Sequence, residues 1–195
     1  MSATRLLVLG VVKLAGQAHG YQVRRELLEW GADRWANCQP GSIYHALKKA
    51  ARDGMLEAVG ETSEVGPDRT CYRLTALGEE EFSHLLRQAL TDPDPKNQTV
   101  AAALSFLPLL SRDEAIRLLG FRIRMLESEV TGLRSVGTAL PMAGRPEHVV
   151  EHFHYWIALR EAEIRWAQDL VDRLANGTYT MAGEAGAWGR AADGS

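Results

Sequence analysis

The chain has 195 residues, a formal net charge of −3 and 46% hydrophobic residues. That balance excludes an intrinsically disordered chain and suffices for one or two domains with a sizeable core. Two cysteines, Cys38 and Cys71, are too few for a disulfide framework and point to a reducing, cytoplasmic setting; outside an N-terminal run broken by Lys13, no segment has the roughly 18 uninterrupted apolar residues of a membrane span.

Residues 4–15 carry Leu6, Leu7, Leu9, Val11 and Val12 at helical spacing. Gly16 and Gly20 bracket a break, and His19 to Trp30 reads as a second helix with Tyr21, Val23, Leu27 and Leu28 inward. Gly31-Ala32-Asp33 ends it. Pro40 opens a third helix, because its missing N–H costs nothing in a first turn, and Ile43, Tyr44 and Leu47 recur on its inner face. Asp53-Gly54 closes it.

The period then changes. Residues 55–59 read as a short strand and 70–75 as its return, across a polar loop that carries Gly66-Pro67. Thr75 caps a fourth helix with acids in its first turn. Asp92-Pro93-Asp94-Pro95 marks a domain boundary.

Beyond it, residues 98–110 are almost purely apolar around Pro108, and Ser111-Arg112-Asp113-Glu114 has the form of a capping box ahead of a long helix to about Val136. Residues 141–146 form a loop, and Glu147 to Ala175 is the last long helix. The expected fold class is mainly α with a small β-hairpin: an N-terminal winged helix-turn-helix over 1–90, an α-helical dimerisation domain over 96–177 and a disordered, glycine- and alanine-rich tail over 178–195.

Three helices followed by a hairpin suit the reading of duplex DNA, in which one helix enters the major groove while two others hold its angle. The third helix is the candidate. Between Arg34 and Arg52 the chain has Arg34, Lys48, Lys49 and Arg52 and no acid, a local basic cluster that the net charge conceals. Gly41, Ser42 and His45 lie early on the exposed side, and a helix N-terminus with small residues admits a phosphate. Ser42, Tyr44 and His45 offer hydrogen bonds to phosphates or base edges. Arg69, at the hairpin tip, is placed to touch the adjacent backbone or minor groove.

The last helix has two apolar stripes. One is Phe153, Ile157, Ile164, Ala167, Val171 and Leu174; the other is Trp156, Leu159, Trp166 and Leu170. A surface helix needs only one, so the second suggests a partner copy. The expected dimer interface is Phe153, Trp156, Leu159, Trp166 and Leu170.

His148-Val149-Val150-Glu151-His152 fits the H-x-x-E-H zinc pattern. Two histidines do not make a site, and no metal or cofactor is expected. No phosphate loop or nucleophile elbow accompanies them, so the chain does not read as an enzyme. A winged-helix interaction adaptor without DNA binding is the alternative, with zinc binding through this motif a further one.

His19-Gly20-Tyr21, Pro40-Gly41-Ser42-Ile43-Tyr44-His45-Ala46-Leu47, Asp53-Gly54-Met55-Leu56 and Tyr72-Arg73-Leu74-Thr75-Ala76-Leu77-Gly78 together resemble the PadR family of transcriptional regulators over about residues 5–88. The long final helix with Tyr155-Trp156 resembles the virulence-activator-like α-helical tail of the larger PadR subfamily. The resemblance implies a homodimer that binds a palindromic operator in double-stranded DNA and usually represses, and a pocket for a small hydrophobic or aromatic effector that would draw on Phe106, Phe121, Trp156 and Trp166. It places Tyr21, Gly41, Ser42, Tyr44, His45, Lys48 and Lys49 against DNA, with wing contacts near Arg69. The family's wing often carries several basic residues; here Gly66-Pro67-Asp68-Arg69-Thr70 sets one acid beside one base.

Overall fold

The computed structural model describes residues 2–59, 70–93, 97–142 and 146–188. Helix α1 (Ala3–Ala15) is the hub. Leu6, Leu7, Val8, Leu9, Val11 and Val12 are all buried, so apolar residues surround the helix instead of forming one stripe. Such a helix has to be covered on every side. It packs against β1 (Gln17–His19), α2 (Gly20–Glu29), α4 (Pro40–Arg52), β3 (Cys71–Leu74), α5 (Ala76–Thr91) and α6 (Asn97–Leu104).

The sheet has three strands in the order β1-β3-β2, where β2 is Leu56–Val59. The hairpin read from sequence is present: β2 pairs antiparallel with β3, Leu56 opposite Leu74. The third strand was not expected. Gly16, at φ +69, turns the chain out of α1, and Gln17 and Ala18 then pair with Arg73 and Tyr72. Strand β3 alternates as its sequence requires, with Tyr72 and Leu74 buried and Arg73 outward. The loop between β2 and β3, including Arg69, lies outside the described residues.

A one-turn helix α3 (Ala32–Trp35) follows the break at Gly31, where no element was expected. Thr75 caps α5 as expected: its hydroxyl accepts from the Gly78 amide at 3.1 Å and donates to the Gly54 carbonyl at 2.7 Å. The apolar run at 98–110 is not one helix; α6 ends at Leu104 and a 3₁₀ turn, Leu107–Leu109, follows with Pro108 near its start. Only half of the capping box at Ser111 forms. Its hydroxyl accepts from the Glu114 amide at 3.3 Å, while the Glu114 carboxylate reaches out to Arg87 at 2.6 Å.

Helix α7 (Arg112–Met142) runs beyond the expected end near Val136, and α8 (Glu151–Ala175) returns antiparallel to it after a 3₁₀ turn at Glu147–Val150. Arg134–Glu161 and Arg160–Glu129 ion pairs, at 2.5 and 2.8 Å, lace the two together. Arg122 is fully buried between them. Its guanidinium donates to Glu163 on α8 and to the Ala89 and Asp92 carbonyls at the end of α5.

The segment from Thr178, expected as a disordered tail, is a correction. Its described part, to Trp188, folds back on the body: Met181 is fully buried in the main core, and the Ala182 amide donates to the Leu110 carbonyl at 3.1 Å. One large apolar side chain, Met181, finds cover there, which the surrounding glycines and alanines conceal.

Candidate nucleic-acid interface

Helix α4 begins with Pro40 after an extended Gln39 and buries Ile43, Leu47 and Ala50, one side at i, i+4, i+7. That spacing decides which residues face outward. Gly41, His45, Lys48, Lys49 and Arg52 are exposed. No acid stands in the first turn, so the partial positive charge of the helix N-terminus is unopposed there. A Cβ built on Gly41 would meet nothing within 4 Å, which leaves the backbone open to close approach. Asp53 tempers the far end, pairing with Lys49 at 3.2 Å and lying 3.9 Å from Arg52.

Two residues of the expected set are less available than their sequence positions imply. Tyr44 is half-buried and packs against the core, so its ring braces the helix more than it projects from it. The Ser42 hydroxyl donates to the Gln39 carbonyl at 2.7 Å and so closes the first turn. Beneath this turn, Cys38 is fully buried, and burial pushes its thiol up from the ordinary value against lowering hydrogen bonds from Thr4 and Ser42. A protonated, sealed thiol is a core residue and a poor nucleophile.

Tyr21 lies at the start of α2, 45% exposed and not inward as its spacing implies, with its ring stacked on His19 at 5.7 Å. The His19 amide donates to Gln22 Oε1 at 2.7 Å within a capping box that fixes this entry. Because α2 packs on α4, Tyr21 and the outer side of α4 are carried by one rigid pair. At the base of the wing, Arg73 is paired across the sheet with Glu57 at 2.8 Å, which neutralises that surface.

The five expected dimer residues divide. Trp156 and Leu159 are 46% and 43% exposed and adjoin Tyr155, whose ring meets Trp156 edge-on at 5.5 Å. Leu170 is buried in the core, Trp166 packs against it, and Phe153 is half-buried beside Gly137. The second stripe thus serves its own chain at one end and is bare at the other.

The four aromatics expected around an effector are dispersed. Phe106 is sealed in the core, edge-on to Phe82 at 5.5 Å and over Gly10. Phe121 is exposed on α7 beside Arg124, in a cleft with Thr91 and Ile116. Trp156 is on the outer side of α8 and Trp166 is against the core.

His148 and His152 are exposed, in the 3₁₀ turn and in α8, and Glu151 approaches His154 at 3.4 Å. Among the described residues no three His, Cys, Asp or Glu side chains are grouped to hold a metal ion. No described helix is long and apolar enough to cross a membrane.

Sequence reading missed Arg122. The signal was present, since it falls on the same side of α7 as the buried Ala115, Leu119 and Leu126. An arginine on an apolar stripe either snorkels or finds carboxylate and carbonyl partners inside.

Residues 8–84 match the model of the transcriptional regulator PadR-like family. No curated protein matches the chain. Among solved structures, PadR of Bacillus subtilis in complex with operator DNA is 19% identical, with 87% of this chain and 98% of that one covered at a TM-score of 0.38. The same protein in complex with p-coumaric acid is 18% identical, covering 89% and 99% at 0.36. The smu.1604c protein of Streptococcus mutans UA159 is 20% identical, covering 88% and 99% at 0.36.

Proposed function

We propose that this chain, whose residues 8–84 match the model of the transcriptional regulator PadR-like family, is a homodimer that reads a palindromic operator by laying α4 of each protomer in the major groove. The observation that carries this reading is the outer side of α4. It presents exposed His45, Lys48, Lys49 and Arg52 beyond an unobstructed Gly41, with no acid before Asp53. Lys48, Lys49 and Arg52 contact phosphates and supply affinity; His45, nearest the helix start on the outer side, reaches base edges. Tyr44 and Ser42 hold the helix in shape.

The bare apolar patch of Tyr155, Trp156 and Leu159 supports a second copy as partner. A two-fold dimer places two reading helices about 34–36 Å apart and makes the operator a palindrome. Repression, by occupancy of a promoter, is part of the same proposal.

Fluorescence anisotropy on the duplex upstream of the protein's own gene tests it. The parent binds with a steep loss of affinity as salt rises. Lys48→Ala with Lys49→Ala weakens binding and reduces the salt slope by about 1 per lysine removed. Equal affinity of parent and double variant at physiological salt overturns the assignment of α4. Binding of no duplex by a folded parent overturns the function.

A further inference from the structure

We propose that residues Thr178–Trp188 form a strap that fixes the DNA-reading half against the α7–α8 hairpin, with Arg112 and Trp188 as its two fasteners. Only its consequence for DNA rests on the function proposed above; the strap itself rests on contacts within one chain.

The strap begins at Gly177, whose φ of +72 turns the chain back after α8. Arg112, at the start of α7, then gathers it. Its guanidinium donates to the Leu174 carbonyl at the end of α8, to the Tyr179 carbonyl at 2.8 Å and to both Glu184 carboxylate oxygens at 2.9 and 2.8 Å. Glu184 also accepts from the Met181 amide at 2.9 Å, which closes the strap on itself. That amide and Arg112 hold the Glu184 carboxyl below its ordinary range. Met181 plugs the core behind this knot.

The other end reaches the reading half. The Trp188 ring lies 6.4 Å from Trp30, Trp30 lies 5.8 Å from Phe106, and Phe106 meets Phe82. Trp30 directly follows α2, which packs on α4. The strap therefore ends one element away from the reading helix. Trp188 is also 46% exposed and borders a cleft of about 300 Å³ with Val11, Leu14, Ala18 and Arg25, so this fastener seats loosely where the Arg112 end is tight.

Two tethers fix an angle where one leaves a hinge. The first is the packing of α7 on α5, where Ala115 and Leu119 share the core with Leu86 and Leu90 and Arg122 grips the Ala89 and Asp92 carbonyls. The strap supplies the second, from the open end of the hairpin where α7 begins and α8 ends, and it reaches Trp30 at the end of α2 where the first reaches α5. Closing a loop at both ends removes conformational freedom from the half that it encloses. In a dimer built on the hairpin, that angle sets the separation of the two reading helices. Trp188 is thus a positioning residue for operator spacing.

The test uses the full chain with spin labels at Arg24→Cys on α2 and Gln168→Cys on α8, both exposed positions, in a Cys71→Ser background diluted into unlabelled protein. Trp188→Ala shifts or broadens the distance distribution, and Trp188→Phe retains the parent's. In parallel, duplexes selected by the parent from a random pool are respaced one base pair at a time. The parent and Trp188→Phe prefer one spacing, and Trp188→Ala loses that preference. A Trp188→Ala distribution identical to the parent's overturns the strap. So does loss of helicity in that variant, which would make Trp188 a core residue and not a fastener. A parent that binds no duplex ends the DNA reading alone, while the distance measurement still decides the strap.

Discussion

At the scale of single residues, two glycines show how closely the N-terminal half is packed. A Cβ on Gly10 would overlap the Phe106 ring, and one on Gly78 would overlap the Met55 carbonyl oxygen. The first obstacle is a side chain and the second is backbone, so the two positions differ in what can yield. Gly10→Ala is expected to cost about 1–3 kcal/mol, the usual penalty for overpacking a core. Urea denaturation checks this, and Phe106→Leu in the same chain restores part of the loss; an undiminished midpoint in Gly10→Ala would show that the ring moves freely. Residue-scale legibility followed exposure. Lys48, Lys49 and His45 were readable because a solvated position on a helix with a clear inner side needs no knowledge of its neighbours. Leu170 was misjudged because a second apolar stripe acquires its role only from what packs on it.

Among the elements, α4 and α5 were the most legible, since each carries its own start signal, Pro40 and Thr75. Thr75 does more than cap. By accepting from Gly78 and donating to the Gly54 carbonyl, it joins the start of α5 to the turn that leaves α4. Thr75→Ala is expected to destabilise by roughly 1–2 kcal/mol and Thr75→Ser by much less, because serine keeps the oxygen. Thermal unfolding followed by circular dichroism separates the two; equal melting points for them would remove the hydroxyl from the account. Strand β1 was not legible. Three residues with one buried side chain have no period to detect, and their partners stand more than fifty positions away.

For the whole molecule, the bare patch on α8 is where the proposed dimer is put to the test. Trp156→Glu with Leu159→Glu places two charges where a second copy would bury them, and sedimentation is expected to show monomers whose circular dichroism matches the parent's. A dimer that persists would move the interface elsewhere, towards exposed Phe121 and Met125 on α7. At this scale the sequence hid the most. The basic helix and the hairpin could be placed in order, but composition marked the end of the chain as loose, although Met181 is buried in the core and the Ala182 amide donates to the Leu110 carbonyl. The three-stranded sheet also bears on how the molecule comes into being. Its central strand leaves the ribosome after both its upstream partners, and one edge joins residues 17–19 to 71–73. Contacts so distant along the chain form slowly. The β1 edge and the seating of α5 and α6 on α1 therefore close late, after β2 and β3, nearer to each other in the chain, have paired.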